Sequence, residues 1–363
     1  MLLDQFKFEP LTHKNKNDYL KVVGNCRYAF ARANEEVFID YKINNGGAAG
    51  TVIIYDQDNN SIATFVGELE RKKFKKIPVS MNSVSAFFGG LYVSEEAWKQ
   101  KENLKNYLLL SVFPSYFAKE LKASYIHLML PPKLMIEYPE MISEILPFYW
   151  CFVEVNSLLF TPLDQDLLAS FKYKTRYEIK KGLQHLSQIK VLRNTEDMHG
   201  HIMRLNHSQA LELKIQPKSA EHFERIISSR YHHPLIAVEN DQPLSMVVYT
   251  CWNGIATFNF NASTQEGKKL FINKALLFLA MKESYEKGAK YFVLGDGKEF
   301  SGNMINVAFF KRTFSTQEII NCRFMYPLSR IGHIILGIRQ FRKINWIKNI
   351  LVEDSNKGAG TNG

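Results

Sequence analysis

Residues 269–296, KLFINKALLFLAMKESYEKGAKYFVLGD, carry the pattern from which the rest of the chain can be ordered. Leu270, Leu277, Ala280, Met281 and Tyr285 recur at helical spacing, which predicts a helix with one apolar face. Lysines crowd its end, where the negative pole of the helix dipole favours them, and Gly288 suits a helix C-cap. YFVLGD (291–296) then reads as a short buried strand. The same junction occurs earlier in AKELKASYIHLML (118–130), again a helix end passing into a buried strand.

Working outward from the two junctions gives a weak internal repeat. In the first half, TVIIYDQDNNSIATFVG (51–67) is a hairpin around an Asp/Asn turn, and SVSAFFGGLYV (83–93) is a further strand. Residues 103–123 read as a helix perturbed at Pro114, followed by strands over 124–132 and 148–160. In the second half, 234–250 is a hairpin, 254–263 a strand, 269–290 a helix and 291–296 a strand. A short helix over 303–315 and a last strand over 318–328 complete it. The fold class expected is α+β, with tandem duplicated domains and mixed, mainly antiparallel sheets. The expected boundaries are 1–162, 163–326, and a basic amphipathic tail with a disordered end over 327–363.

The chain has 363 residues, more than one typical domain, and its hydrophobic content of 46% supports sizeable cores. The formal net charge of +10 favours an anionic partner. Cys26, Cys151, Cys251 and Cys322 are scattered, without metal or disulfide spacing, as in a reducing compartment. His199, His201 and His207 lack ligand spacing, and no metal is expected. The N-terminus lacks a basic and apolar leader pattern. The apolar stretch over 145–163 is interrupted by Pro147, Glu154 and Asn156, so a cytoplasmic location is expected.

Between the halves lies SFKYKTRYEIKKGLQHLSQIKV (170–191), a helix entering a strand. Phe171, Thr175, Ile179, Leu183 and Leu186 mark its buried face. Lys172, Arg176 and Lys180 recur on a neighbouring face, with Glu178 the one acid. These cations form either an electropositive rim for a phosphate-bearing substrate or a solvated face, and Arg176 either holds a phosphate or braces the domain junction.

FKYKTRYEIKKGLQ (171–184) resembles the K-x-R-x-x-I-x-K segment of the FemAB-like family, transferases built from two GNAT-type (N-acetyltransferase-like) domains. Residues 269–296, FFGGLYV (87–93) and VAFFKRTFSTQEI (307–319) resemble further segments of that family in the same order, with Ser315 where glycine is usual. The resemblance implies acyl or aminoacyl transfer to an amine or hydroxyl of a cell-envelope or polysaccharide precursor. It implies no tightly bound cofactor; the activated donor would be an acyl-CoA, an acyl carrier or an aminoacyl-tRNA. Residues 199–231 leave room for two ordinary helices and no long helical hairpin, which weakens a tRNA-dependent reading.

On that resemblance Lys311 is the cation expected beside the tetrahedral oxyanion. Asp296, at the end of a buried strand, either accepts a proton or orients the acceptor, or is simply a turn residue. Asn259 and Asn261 alternate on one strand and are expected to face one side, lining a donor channel or satisfying an edge. The acyl-CoA superfold uses a glycine-rich loop whose amides hold pyrophosphate. Here that place reads NASTQEGKKLFINKALL (261–277): Gln265 and Gly267 are present, the second glycine is missing, and Lys268 and Lys269 supply charge. The departure argues against simple acetyl-CoA use. The expected partners are an anionic small-molecule or lipid-linked precursor and aminoacyl-tRNA, with no DNA. Basic segments at 70–78 and in the tail add an expected peripheral contact with the inner face of a membrane if they share a face. The alternative reading is a non-catalytic binder of an anionic glycan, lipid or nucleotide-sugar.

Overall fold

The computed structural model describes residues 6–73, 80–99, 113–139, 152–193, 198–297 and 305–338. The first half contributes strands β1 (Lys7–Pro10), β2 (Val52–Tyr55), β3 (Ser61–Lys73), β4 (Ser80–Val93), β5 (Ala123–Met129) and β6 (Phe152–Pro162). The second contributes β7 (Lys190–Arg193), β8 (His232–Glu239), β9 (Gln242–Trp252), β10 (Ile255–Ser263), β11 (Tyr291–Asp296) and β12 (Gln317–Pro327). Helices α1 (Lys16–Gly24), α2 (Glu36–Asn44), α3 (Glu95–Lys99), α4 (Phe113–Glu120) and α5 (Pro132–Glu137) belong to the first half. They are followed by α6 (Tyr173–Leu186), α7 (Met198–Leu213), α8 (Ala220–Ile227), α9 (Gln265–Lys269), α10 (Ile272–Glu286) and α11 (Ile305–Phe314).

The two halves repeat one order: a strand, two helices, three antiparallel strands, a crossover helix, a strand, a short helix and a last strand. Both crossovers join parallel neighbours, β4 to β5 and β10 to β11; every other neighbouring pair is antiparallel. The strands nevertheless make one continuous sheet, in the order β1-β2-β3-β4-β5-β12-β6-β11-β10-β9-β8-β7. Each half's last strand lies beside the other half's fifth: β12 pairs with β5, and β6 with β11. The exchanged strands also pair with each other from Gln317↔Phe160 to Met325↔Phe152.

Local sequence explains the turns. Asn240 and Asp241 carry φ of 47° and 62° between β8 and β9, and Asn253 and Gly254 carry 55° and 75° between β9 and β10. Such left-handed pairs match the twist of two-residue hairpins. Phe292, Val293 and Leu294 are all buried, because helices cover both faces of β11's half of the sheet. On one face α6 and α10 pack over Leu235, Ala237, Val247 and Ala256. On the other, α7 and α8 pack over Ile236, Val238, Met246 and Val248.

The helix expected over 269–290 is divided. Phe271, at φ 57°, separates α9 from α10, and Tyr285 stands 36% exposed rather than in the core. Within the expected first-half helix the described part is α4, Phe113–Glu120. Residues 103–112, Cys151 and most of the expected tail lie outside the described residues. Among the described residues, no helix is long and apolar enough to cross a membrane.

Candidate functional site

The second half contains a place where neighbouring strands part. β10 and β11 pair only from Ile255↔Tyr291 to Thr257↔Val293. Beyond that, β10 has a bulge between Phe258 and Phe260 against β9, and β11 a bulge between Val293 and Gly295 against β6. Bulges bend and twist a strand locally, and here they lead the two apart. Asn259 lies within the bulge of β10, outside its paired register with β9. Asn261 lies opposite Val247, on the face that α10 covers.

Lys311 reaches the parting from α11. Its Nζ lies 5.9 Å from the Phe258 ring centroid. A Cβ on Gly295 would meet that Nζ at 3.3 Å, and Gly295 has φ of 94°, so the bare α-carbon serves both the backbone turn and the ammonium. Burial lowers the Lys311 pKa below the ordinary lysine value, and the nearby Asp296 charge opposes that. Asp296 Oδ2 accepts a hydrogen bond of 3.0 Å from Arg323 Nη2 on β12. Arg323 is a residue the sequence reading missed. Nothing in its strand marks it, and only the strand exchange carries it to β11.

Beside Lys311 on α11, Asn306, Val307 and Phe310 form one wall of a cleft of about 330 Å³. Asn261 and Ser263 of β10, Gln265 and Lys268 of α9, Asn273 of α10 and the end of α7 complete it. The lining is rich in carboxamides. Lys268 does not offer a free charge, because its Nζ lies 2.5 and 2.6 Å from the carboxylate oxygens of Glu212. Gly267 does not offer a free amide either: its N–H donates to Thr264 Oγ1 at 3.1 Å, capping α9. A Cβ there would sit 2.3 Å from Leu244 O, so this glycine serves packing against β9. The pyrophosphate cradle of the acyl-CoA superfold therefore has no counterpart at this glycine. Lys269 is exposed at the end of α9 and does not line the cleft.

The basic helix α6 is placed differently. Gly182 allows it to cross α10 closely, since a Cβ would meet Phe271 O at 2.4 Å and the Ala275 Cβ at 2.9 Å. Glu178 is 8% exposed and pairs with Lys274 of α10, leaving the lysines of its own helix in solvent. Arg176 donates to the carbonyl oxygens of Phe171 at 2.7 Å and Ala169 at 3.3 Å, tying down the loop before α6. Arg176 and Lys180 line a second recess with Asp164, Asp166, Lys282 and Glu286, where the charges are mixed. Along α10, Asn273 in the first cleft and Lys282 in this recess are nine residues apart, about 13 Å at the helical rise. Lys172 lines neither. Seven of the ten expected site residues thus fall into three groups: Lys311 with Asp296, Asn261 with Gln265 and Lys268, and Arg176 with Lys180.

A further cationic group spans the two halves and was not legible in the sequence. Arg32 precedes α2; Lys218 precedes α8, which carries His222 and Arg225. Arg32 lies over Phe38 at 4.9 Å, Lys218 over Phe260 at 5.8 Å and Arg225 over Tyr41 at 3.8 Å. Arg225 also binds Glu221 at 2.8 Å, whereas among the described residues neither Arg32 nor Lys218 forms an ion pair. Burial, followed by the charges of Lys218, Arg32 and Arg225, pushes the His222 pKa down to about 4. Burial and Arg32 likewise lower Lys218. Contacts across the halves hold these groups together: Glu35 Oε1 lies 3.0 Å from His232 Nδ1, and Asn34 Nδ2 donates to the Tyr231 hydroxyl at 2.9 Å.

No protein-family model matches the sequence, and no curated protein matches it. Solved structures do. FemX superposes with a TM-score of 0.57 at 14% identity, covering 87% of this chain and 96% of FemX. The C-terminal domain (DUF2156) of a putative lysylphosphatidylglycerol synthetase from Agrobacterium fabrum gives 0.54 at 12% identity, covering 89% and 95%. A conserved protein of unknown function from Bacteroides thetaiotaomicron gives 0.51 at 10% identity, covering 89% and 99%. At such identities the similarity is one of fold. The expected architecture of two like halves is a fold that this chain shares with FemX.

Proposed function

We propose that the protein is an acyl- or aminoacyltransferase acting on an amine or hydroxyl of an anionic cell-envelope or polysaccharide precursor. The observation that carries this reading is Lys311, a desolvated lysine at the parting of β10 and β11, next to an amide-lined cleft. In acyl transfer the acceptor's lone pair attacks the carbonyl carbon, charge collects on the carbonyl oxygen, and the leaving group departs with the electrons of its bond. The acceptor's proton passes to solvent or to the leaving group. An ammonium in a partly water-excluded site stabilises the oxyanion far better than one in water. Asp296, held by Arg323, orients the acceptor or Lys311. The two halves, divided near residue 162, would share the work: the second positions the donor, and Arg32 and Lys218 attract the acceptor's phosphates across the junction. FemX and the synthetase domain share this fold, which favours a lipid-linked or nucleotide-linked precursor as acceptor and an aminoacyl-tRNA or other activated acyl group as donor. The neutral lining around Gln265 and Lys268 favours a donor recognised through polar groups over one recognised through pyrophosphate.

The test is transfer of a labelled acyl group from acyl-CoAs and from aminoacyl-tRNAs to UDP-linked and lipid-linked sugars, with Lys311→Met beside the parent protein. Transfer that Lys311→Met reduces by ~10²–10³ is expected. Absence of transfer with every pair, together with anion binding that requires Arg32 and Lys218, would replace this reading by that of a non-catalytic binder.

A further inference from the structure

A second surface is assembled at one end of the central strands. β3 ends at Lys73, paired with Ser80 at the start of β4. Asn82 of β4 pairs with Ala123 at the start of β5, and Tyr125 of β5 with Pro327 at the end of β12. Four strand ends therefore lie side by side, about 14 Å across at three strand spacings. Arg71, Lys72 and Lys73 lie at this end of β3, and the sequence continues with Phe74, Lys75 and Lys76. Lys119 and Lys122 stand exposed before β5, with Glu120 between them.

After β12 the chain forms a helix over 330–338. Its inner side is fixed: Leu336 is 2% exposed and packs with Tyr125 and Met325, and a Cβ on Gly332 would collide with Ser124 O. Its outer side presents Ile331, Ile334 and Ile338, each more than half exposed, at i, i+3 and i+7. Residues 329–351 carry Arg330, Arg339, Arg342, Lys343 and Lys348, with Trp346 and Phe341, and no acid.

We propose that this end of the sheet is a docking surface for an anionic lipid bilayer. An anchored helix with an outward apolar stripe, rimmed by basic residues from a separate hairpin and loop, matches the two needs of a membrane interface, buried apolar area and attraction to acidic headgroups. Arg71, Lys119, Lys122 and Arg330 outnumber Glu120 at this end, a charge excess that suits acidic headgroups. This surface is independent of the transfer reaction: either can fail alone.

The test is sedimentation of the full chain with phosphatidylcholine vesicles and with vesicles containing about a third phosphatidylglycerol, at low and raised salt. Binding to the anionic vesicles that salt weakens is expected. Lys122→Glu should weaken it roughly fivefold or more, and Ile331→Asn with Ile334→Asn should weaken it at least as much at unchanged melting temperature. Lys181→Glu, on α6, is the charge-matched comparison and should stay within about twofold. No binding to anionic vesicles, equal loss from Lys181→Glu, or a parent dimer that the Ile331→Asn, Ile334→Asn protein converts to monomer would overturn the proposal.

Discussion

Gly182→Ala tests the packing that sets the basic helix against α10, and two effects of opposite sign compete in it. Alanine favours a helix over glycine by about 1 kcal/mol. Against that, the added methyl would lie 2.4 Å from Phe271 O, 2.9 Å from the Ala275 Cβ and 3.0 Å from Phe271 C. Two of these atoms are backbone and cannot rotate away, so α6 must move by nearly 1 Å, a shift that places the cost near the upper end of the ~1–3 kcal/mol typical of overpacking. The net expectation is a destabilisation of about 1–2 kcal/mol. Gly200 in α7 supplies the control, because nothing lies within 4 Å of a Cβ placed there. Gly200→Ala should be neutral or stabilise by up to ~1 kcal/mol. Urea unfolding followed by circular dichroism gives both values from the midpoints at constant slope. If Gly182→Ala proves as benign as Gly200→Ala, the close crossing of α6 on α10 is wrong, and with it the placement of Arg176 and Lys180 in a recess separate from the cleft.

Glu178→Gln should cost about 2–3 kcal/mol in the same assay by leaving the partly buried Lys274 without its carboxylate, and adding Lys274→Met should recover most of the loss. Lys311 has a lowered pKa in the folded protein, so between that value and the ordinary ~10.4 the unfolded chain binds more protons and stability rises with pH; Lys311→Met should flatten that rise. If the ammonium is the working form, transfer activity falls over the same pH window, whereas activity that climbs there would assign Lys311 the role of base. His222, with a folded pKa of about 4, should titrate there by NMR, and stability present above ~6.5 should be lost as pH falls through 4. Arg32→Gln or a bound polyphosphate should raise that pKa; an unmoved His222 would separate it from the cationic group.

The sequence was informative wherever contacts are local. The helix–glycine–strand junction at 285–296 and the Asp/Asn turn within 51–67 follow from positions a few residues apart, and the structure has them there. Helical periodicity also found the buried face of α6 at Thr175, Ile179 and Leu186. It misplaced Tyr285 and missed the break at Phe271, since both depend on what lies against the helix rather than on the helix itself. The lysine at 268 looked like a free charge because its partner, Glu212, is 56 residues away.

What the sequence by itself determined is the repeat: elements of matching type in matching order, and the α/β character of each half. Only the tertiary structure decided that the halves exchange their last strands into one sheet. Pairing between strands is set by edges and register, and the same alternating pattern would satisfy β12 beside β5 or beside β11. That exchange brings Arg323 to Asp296, and contacts between the halves bring Arg32 toward Lys218 and Arg225. Charge–charge interactions depend on distance in space and carry no periodic signature along the chain, so these groups became visible only once the fold had placed them together.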